Sequence, residues 1–200
     1  MTDPIPWPPT VELHGTHAAL VPLSPDHAGE LAEAAADGDL HELWYTTIPA
    51  PDAVPAEIAR RLALRERGTM LPFAVLDAAG KTVGMTTYMN IDATARRVEI
   101  GSTWVGRSAQ RGPLNTECKA MLLRHAFEEL DCIAVEFRTH YINHQSRRAI
   151  ERLGAKLDGI LRAHMVMANG TIRDTAVYSI VAPEWPTVKA HLQWQLVKPR

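Results

Sequence analysis

The sequence predicts a mixed α/β fold, in which helices flank a mostly antiparallel sheet that contains one parallel strand pair. Residues 71–105 contain three successive strand-like runs separated by turn signals, which is typical of an antiparallel meander. A strand–helix–strand unit spans residues 97–140, and such units form right-handed crossovers between parallel strands. Asn169-Gly170 separates two further strand-like runs, and this dipeptide is a strong hairpin signal. We therefore expect one sheet with both kinds of pairing.

The first third of the chain predicts one strand and two helices. Residues 1–14 are rich in proline and are expected to form an irregular arm. Residues 17–24 predict a short strand, and Asp26 begins a helix that runs to about residue 36. A second helix is expected over residues 56–67, where Gly68 ends it because glycine readily adopts the left-handed conformation that terminates helices.

The rest of the chain alternates strand and helix signals. Residues 114–130 place apolar side chains at helical spacing, and Gly154 is expected to end the helix that follows the next strand. The predicted elements are strands 71–91 (two, with a turn at Ala79-Gly80), 96–105, 133–140, 157–167 and 172–181, helices 114–130 and 144–154, and a last short helix in "PEWPTVKAHLQW".

Composition places the chain among ordinary globular proteins. The 200 residues are 46% hydrophobic and 22% charged, and no linker or repeat divides them, so we expect one domain over residues 1–200. The net charge of −2 gives no reason to expect nucleic acid or an anionic membrane as a partner. No secretory signal and no apolar run of about 20 residues is found, so a cytoplasmic protein is the simplest interpretation.

Metal and disulfide chemistry are not expected. The nine histidines are scattered, and "HELWY" at residues 41–45 lacks the second histidine of a zinc-binding HExxH motif. Cys118 and Cys132 lie in apolar segments and are interpreted as packed thiols. A basic cluster in the second helix is interpreted as a solvated helix face: Arg60, Arg61, Arg65 and Arg67.

The stretch "QRGPLNTECK", residues 110–119, lies where a strand gives way to a helix. The free N–H groups and partial positive charge of a helix N-terminus attract phosphates. With Gly112 as N-cap, Pro113 takes the first helical position, where a missing N–H removes no intrahelical bond. The residues alone leave a phosphate cradle and a simple turn both open. The candidate donors are the N–H groups of Leu114, Asn115 and Thr116 and the side chains of Gln110 and Arg111.

Three stretches carry a resemblance to a known family: "EIGSTW" at 99–104, "NTECKAMLLRHAFEEL" at 115–130 and "NHQSRRAIERLGA" at 143–155. Together they resemble the GNAT acetyltransferase superfamily, and within it the branch of ribosomal-protein N-terminal acetyltransferases. The resemblance covers nearly all of the chain after residue 15. It implies a GNAT-like fold with a splayed parallel strand pair, acetyl-CoA as cosubstrate, and direct attack of a primary amine on the thioester. A small molecule and a protein N-terminus are both open as acceptor.

The family loop that binds the pyrophosphate has the pattern Q/R-x-x-G-x-G/A, and here it is only partly kept. Gln110 matches the first position, but Pro113 replaces the glycine and Asn115 replaces the glycine or alanine. The proline removes one N–H donor, which is expected to weaken phosphate binding. This departure puts acetyl-CoA itself in doubt as the donor.

The resemblance also implies roles for five other residues. The backbone N–H near Val105 would polarise the thioester carbonyl, and Ser146 would protonate the leaving thiolate. Glu99 matches a carboxylate that deprotonates the amine, Asn143 matches a coenzyme contact, and Arg147 lies beside the coenzyme phosphates.

Each of these roles has a structural alternative. Ser146 and Asn143 are residue types that cap helices. Glu99 is equally well explained as an exposed strand residue, and Arg147 and Arg148 as solvated side chains.

The acceptor pocket is expected between the first helices and the hairpin strands, although buried aromatic residues are more often simply core. The candidate lining residues are Trp44, Tyr45, Tyr88, Asn90 and Trp104.

Two further functions remain open at this point. The first keeps the fold but takes its acyl group from an aminoacyl-tRNA or a carrier-protein thioester, and only a tRNA donor would make nucleic acid a partner. The lack of basic charge speaks against that donor. The second is a non-catalytic ligand-binding homologue. Association into a homodimer is also left open.

Overall fold

Strands and helices alternate along residues 7–198, the part of the chain that the computed structural model describes. The strands are β1 (Leu13–His14), β2 (Ala18–Pro22), β3 (Met70–Asp77), β4 (Thr82–Asp92), β5 (Arg97–Val105), β6 (Ala134–His140), β7 (Lys156–Val166) and β8 (Ile172–Val181). The α-helices are α1 (Ala28–Ala36), α2 (Val54–Glu66), α3 (Leu114–Arg124), α4 (His144–Glu151) and α5 (Trp185–Val197). A π-helical turn, His125–Glu129, continues α3.

The strands form one sheet in the order β1-β2-β3-β4-β5-β6-β8-β7. Every neighbouring pair is antiparallel except β5 and β6, which are parallel and are joined through α3. This arrangement confirms the predicted fold class, including the meander β3–β4–β5 and the hairpin β7–β8. Gly170 in the hairpin turn has a φ of +80°, a conformation that favours glycine.

Several boundaries differ from the sequence-based prediction, and three of them change how an element is described. The end of the expected irregular arm is a strand, because Leu13–His14 pairs with β2, and residues 1–6 of that arm lie outside the described part. α2 begins at Val54, since a 3₁₀ turn over Pro51–Ala53 leads directly into it. The last helix, α5, has 13 residues and is longer than expected. None of the described helices combines the length and the apolar character that crossing a membrane requires.

Helices cover the two faces of the sheet unequally. On one face, α3 and α5 pack over a large core that includes Tyr88, Ile100 and Val135. On the other face, α1 and α2 pack over a smaller core around Met85 and Trp104. Since successive strand residues point to opposite faces, the β6 side chains between the core residues point toward the second face. That face therefore becomes polar where it continues beyond α2.

Glu117 ties the first two strands to α3. Its carboxylate is buried and accepts hydrogen bonds from the backbone N–H groups of Thr16 (3.0 Å), His17 (2.5 Å) and Ala18 (2.8 Å). A Cβ atom at Gly15 would lie 2.4 Å from the Glu117 carboxyl carbon, so this turn requires glycine. One helix side chain thus fixes the path of the chain between β1 and β2.

Both cysteines are buried free thiols, which confirms their interpretation as packed residues. Burial raises the pKa of Cys118 to about 12 and that of Cys132 to about 11. Neither thiol ionises near neutral pH.

Candidate active site

The parallel strands β5 and β6 separate soon after they meet. They pair only from Arg97 to Glu99 on β5, although β5 runs on to Val105. Gly106 N donates to Val83 O on β4 (2.9 Å), and successive N–H groups of a strand point to alternate edges. The N–H of Val105 therefore points into the gap between β5 and β6. That gap lies where the resemblance predicts that a thioester carbonyl is polarised.

A β-bulge diverts β5 away from β6. Ser102 has a φ of +47°, and the register with β4 shifts between Met85 and Thr87. An extra residue in one strand bends that strand locally. The bulge explains why the parallel pairing stops after three residues.

Two buried cations hold the bulge, one from each face of the sheet. Arg61 of α2 donates to the Thr87 hydroxyl (2.7 Å) and to the Ser102 carbonyl (3.3 Å), and it is paired with Glu57. Lys119 of α3 donates to the Thr103 hydroxyl (2.6 Å) and to that of Thr86. Burial lowers the pKa of Lys119 to about 8. Neither side chain is solvated.

The interpretation of the α2 arginines as a solvated face is therefore wrong for Arg61, which is only 2% exposed. The residue lies on the same helix stripe as Val54 and Ile58, both of which are buried. Arg60 does point to solvent and pairs with Glu57. The helix period places Arg61 on the inward face, whereas its residue type predicts the outward one.

The N-terminus of α3 presents free backbone donors. Pro113 has helical angles (φ −71°, ψ −23°), and its carbonyl accepts the first hydrogen bond of the helix from Glu117 N (3.0 Å). The hydrogen-bonded helix thus begins at Leu114, with Pro113 and not Gly112 in the cap position. The N–H groups of Leu114, Asn115 and Thr116 precede the first intrahelical bond and are available to an anion.

Several side chains of the loop are already engaged. The Gln110 amide donates to Val105 O (3.0 Å), and the Thr116 hydroxyl accepts from Arg152 (3.1 Å). Asp37 at the end of α1 accepts from Ser108 N (2.7 Å). Arg111 is exposed and has a φ of +61°. The backbone, with Arg111 beside it, is therefore the main source of free donors in this loop.

Glu99 is the last residue of β5 that pairs with β6, and it is 5% exposed. Its carboxylate accepts from Asn90 Nδ2 (2.6 Å), and Arg138 Nε lies 3.7 Å from the same oxygen. Burial raises its pKa above the ordinary value, and these two partners only partly oppose that effect. The alternative of an exposed strand glutamate is wrong. A buried carboxyl group at the start of the gap is suited to accept a proton.

The N-terminus of α4 lies just beyond the end of β6. Asn143 is its N-cap, and its side-chain oxygen accepts from the Ser146 backbone N–H (3.0 Å). Because Asn143 caps the helix, Ser146 does not. Within residues 7–198 the Ser146 hydroxyl has no hydrogen-bond partner, and the side chain is partly exposed. Its proton is free to be donated to a ligand.

Arg147 is held by neighbouring aromatic residues. Its Nε donates to the Tyr178 hydroxyl (2.8 Å), and its guanidinium lies 4.8 Å from the centre of the Tyr141 ring. The Tyr178 hydroxyl in turn donates to Glu151 (2.7 Å). Arg148 is exposed. The packing role of Arg147 explains its position without a phosphate.

The five candidates for the acceptor pocket separate into two groups. Tyr88 is fully buried and donates to Leu122 O (2.5 Å), on the face opposite Glu99, and Trp104 lies in the core under α1 and α2. Asn90 contacts Glu99 directly. Trp44 is 49% exposed, and its ring stands nearly perpendicular to those of Tyr45 and His140, each with centroids 5.7 Å away. Only Asn90, Trp44 and Tyr45 are placed where an acceptor can reach them.

The sequence-based prediction missed five charged or polar residues near the gap. Each is a long or basic side chain that its residue type assigns to the surface, while strand alternation would have placed three of them on the face of Glu99. The five residues are Arg61, Lys119, Arg138, His140 and Arg173.

Within residues 7–198, no three His, Cys, Asp or Glu side chains are grouped closely enough to hold a metal ion.

Comparison with known proteins indicates one family. The family model "Acetyltransferase (GNAT) domain" matches residues 18–156. The Bacillus subtilis (strain 168) protein YdaF, named "Putative ribosomal N-acetyltransferase", is 32% identical over 107 residues, which are 53% of this chain and 57% of that relative. The match thus spans a little over half of the relative's length.

Solved structures resemble the chain over almost its full length. A GCN5-related N-acetyltransferase from Brucella melitensis is 33% identical with a TM-score of 0.86, covering 98% of this chain and 91% of its own. RimJ from Mycobacterium smegmatis, solved in complex with CoA-disulfide, is 26% identical with a TM-score of 0.76, covering 94% and 95%.

Proposed function

The chain belongs to the GNAT acetyltransferase family, and from that premise we propose that it transfers an acetyl group from acetyl-CoA to a primary amine by direct attack on the thioester. The observation that carries the proposal is the position of Glu99, a buried carboxyl group with a raised pKa at the start of the gap between β5 and β6. A protein N-terminus and a small amine are both compatible with it. The name of the Bacillus subtilis relative favours a ribosomal acceptor for that protein.

The residues divide the chemistry as follows. Glu99 takes a proton from the ammonium group, so that a neutral amine attacks the thioester carbonyl. The Val105 N–H donates to the carbonyl oxygen as negative charge develops there. When the carbon–sulfur bond breaks, the Ser146 hydroxyl gives its proton to the departing thiolate and regains one from the attacking nitrogen, so that the amide and the serine are both neutral. The N–H groups of Leu114, Asn115 and Thr116 bind the pyrophosphate.

The fit to coenzyme A is supported by the free N–H groups at the start of α3 and by the Mycobacterium smegmatis relative, which was solved with a CoA derivative. Pro113 removes one donor, but it does so at a helix position whose N–H has no intrahelical partner. A second candidate function keeps the fold and uses another thioester or ester as donor. Pro113 and Asn115 in the phosphate loop are the observations that favour it.

Acetyl-CoA is expected to stabilise the protein against thermal unfolding. At a concentration 100 times its Kd, a ligand adds about 2.7 kcal/mol, which corresponds to about 5–10 °C in Tm for a chain of this size. Differential scanning fluorimetry with acetyl-CoA, CoA and ATP measures this, and ATP controls for non-specific phosphate binding. An unchanged Tm at millimolar acetyl-CoA would reject it as donor and favour the second candidate.

Ser146→Ala is expected to lower kcat at least about tenfold, because the thiolate then leaves without its proton donor. The helix cap is unaffected, since Asn143 supplies it through the Ser146 backbone. Steady-state kinetics should show little change in KM for either substrate, and Tm should stay the same. A variant with full kcat would show that Ser146 takes no part in the chemistry.

A further inference from the structure

Arg173 is a half-buried guanidinium without a carboxylate partner. Its Nε donates to the Thr175 hydroxyl (2.9 Å), and within residues 7–198 no carboxylate oxygen lies within 4 Å of it. The other arginines of this region are paired: Arg138 with Glu136, and Arg162 with Asp174. Desolvating a guanidinium is costly unless an anion compensates. Arg173 therefore lacks the partner that its burial calls for.

His140 is a second donor without a partner in the same place. It is 6% exposed, and its Nδ1 accepts from Ile142 N (3.3 Å), which puts the proton of the neutral ring on Nε2. Nε2 has no hydrogen-bond partner among the described residues. His140 pairs with Thr175 across β6 and β8, so it lies beside the residue that Arg173 contacts. Such an unsatisfied buried donor requires an explanation.

These two donors share a face of the sheet with Glu99. Glu136, Arg138 and His140 alternate along β6 and so point the same way, and Glu136 pairs directly with Glu99. Arg138 lies between, 3.7 Å from Glu99. Burial lowers the pKa of Arg173, and the Glu99 carboxylate partly opposes that effect. This face thus has a proton acceptor at one end and two free donors at the other.

We propose that the acceptor is an amine that also carries a carboxylate, which Arg173 and the His140 Nε2–H bind while the amine lies at Glu99. The inference rests on the proposed function and names the substrate class of the same site. Donors without acceptors select an anionic oxygen group, and the planar guanidinium matches a carboxylate. Glu99 and Glu136 balance much of the positive charge here, which suits a singly charged carboxylate better than a doubly charged phosphate.

The test uses a series of ω-amino carboxylates of increasing chain length and the matching ω-amino carboxamides, with acetyl-CoA as donor. Each pair differs only in the charge and hydrogen bonding of one end group. We expect kcat/KM to be about 10- to 100-fold higher for the carboxylate at the best chain length, the range supplied by a charge-assisted hydrogen bond. The best length then measures the distance from Glu99 to Arg173. Equal rates for the two series would overturn the proposal.

Two variants identify the residue responsible. Arg173→Gln should reduce the carboxylate advantage to less than about threefold by raising KM, and Arg173→Lys should restore part of it. The matched control is Lys156→Gln, which removes a positive charge from the same hairpin at an exposed residue paired with Glu184. The control should keep the full advantage. The proposal would be contradicted if the carboxylate advantage survives in Arg173→Gln. It would also be contradicted if Arg173→Gln and the control variant lose the advantage equally.

Failure of the inference can be distinguished from failure of the proposed function. If no member of either series is acetylated while acetyl-CoA still raises Tm, the inference is rejected and the proposed acetyl transfer stands. If acetyl-CoA leaves Tm unchanged, the donor is wrong, and Arg173 is then tested by direct calorimetric titration with the carboxylate series. Binding of the carboxylates to the native protein, weakened at least about tenfold in Arg173→Gln, would still support the site. Equal binding in both would reject it.

Discussion

Glu99→Gln is expected to lower kcat by about 10²–10⁴-fold, the usual contribution of a positioned acid–base group. The glutamine keeps the size of the side chain and can still accept the hydrogen bond from Asn90, but it cannot take a proton from the amine. Binding of acetyl-CoA should be unchanged, because the proposed phosphate donors lie on α3. Steady-state assays that follow the release of the coenzyme A thiol measure the decrease in kcat.

The pH profile gives this variant a second measurement. Glu99 must be ionised to act as base, so activity should rise with pH through its raised pKa and fall as the carboxyl group is protonated. Because the pKa of Glu99 is higher in the folded protein than in the unfolded chain, the free energy of unfolding should fall as pH rises through the same range. Glu99→Gln should remove the acidic limb of the profile.

Glu136→Gln provides a matched control for Glu99. Glu136 lies opposite Glu99 in the register of β5 and β6. Its carboxylate is paired with Arg97 and Arg138. Its loss changes the charge of the same face without removing the proposed base, so kcat should fall less than about threefold, as expected for a partly exposed ion pair. A loss as large as that of Glu99→Gln would mean that net charge, and not proton transfer, explains the effect.

Glu117→Ala is expected to lower the free energy of unfolding by about 3–4 kcal/mol. The change leaves the backbone N–H groups of Thr16, His17 and Ala18 without their acceptor. An unsatisfied buried donor such as that of Ala18 costs about 1–3 kcal/mol, and the partly buried donors of Thr16 and His17 cost less because water can replace the partner. Urea denaturation followed by circular dichroism measures the change.

The control for this prediction is Glu129→Ala. Glu129 lies in the π-helical turn that continues α3, its side chain is 56% exposed, and its charged contact is His125 at 4.0 Å. Surface changes of this kind usually alter stability by less than about 0.5 kcal/mol. A loss below about 1 kcal/mol for Glu117→Ala would show that the three N–H groups find other partners.

The order and connections of the strands and helices can be predicted from the sequence, because they depend on short-range patterns. The hairpin at Asn169-Gly170, the meander and the crossover through α3 all follow from turn residues and periodicity. The bulge at Ser102 is different, because Gly101 in "EIGSTW" is compatible with a bulge but does not determine whether or where the strand bends. Its position depends on contacts with α2 and α3, which are distant in sequence.

The sequence points to candidate residues most directly where backbone groups are concerned. The α3 N-terminus follows from the order of strand and helix, whereas Val105 and Glu99 follow from the family resemblance. Arg173 and Lys119 were missed, because a long charged side chain is assigned to solvent unless its neighbours in three dimensions are known. Strand alternation restricts the face on which a residue lies, but it does not reveal whether a counter-ion is present.

The two cations at the bulge have a consequence for communication across the sheet. Arg61 belongs to the helix beside the proposed acceptor, whereas Lys119 belongs to the helix whose first turn is proposed to bind the donor. Both are attached to adjacent residues of one strand, Ser102 and Thr103. We therefore expect a displacement of either helix to act on these two adjacent residues, so that binding of one substrate changes the affinity for the other through a single irregularity of β5.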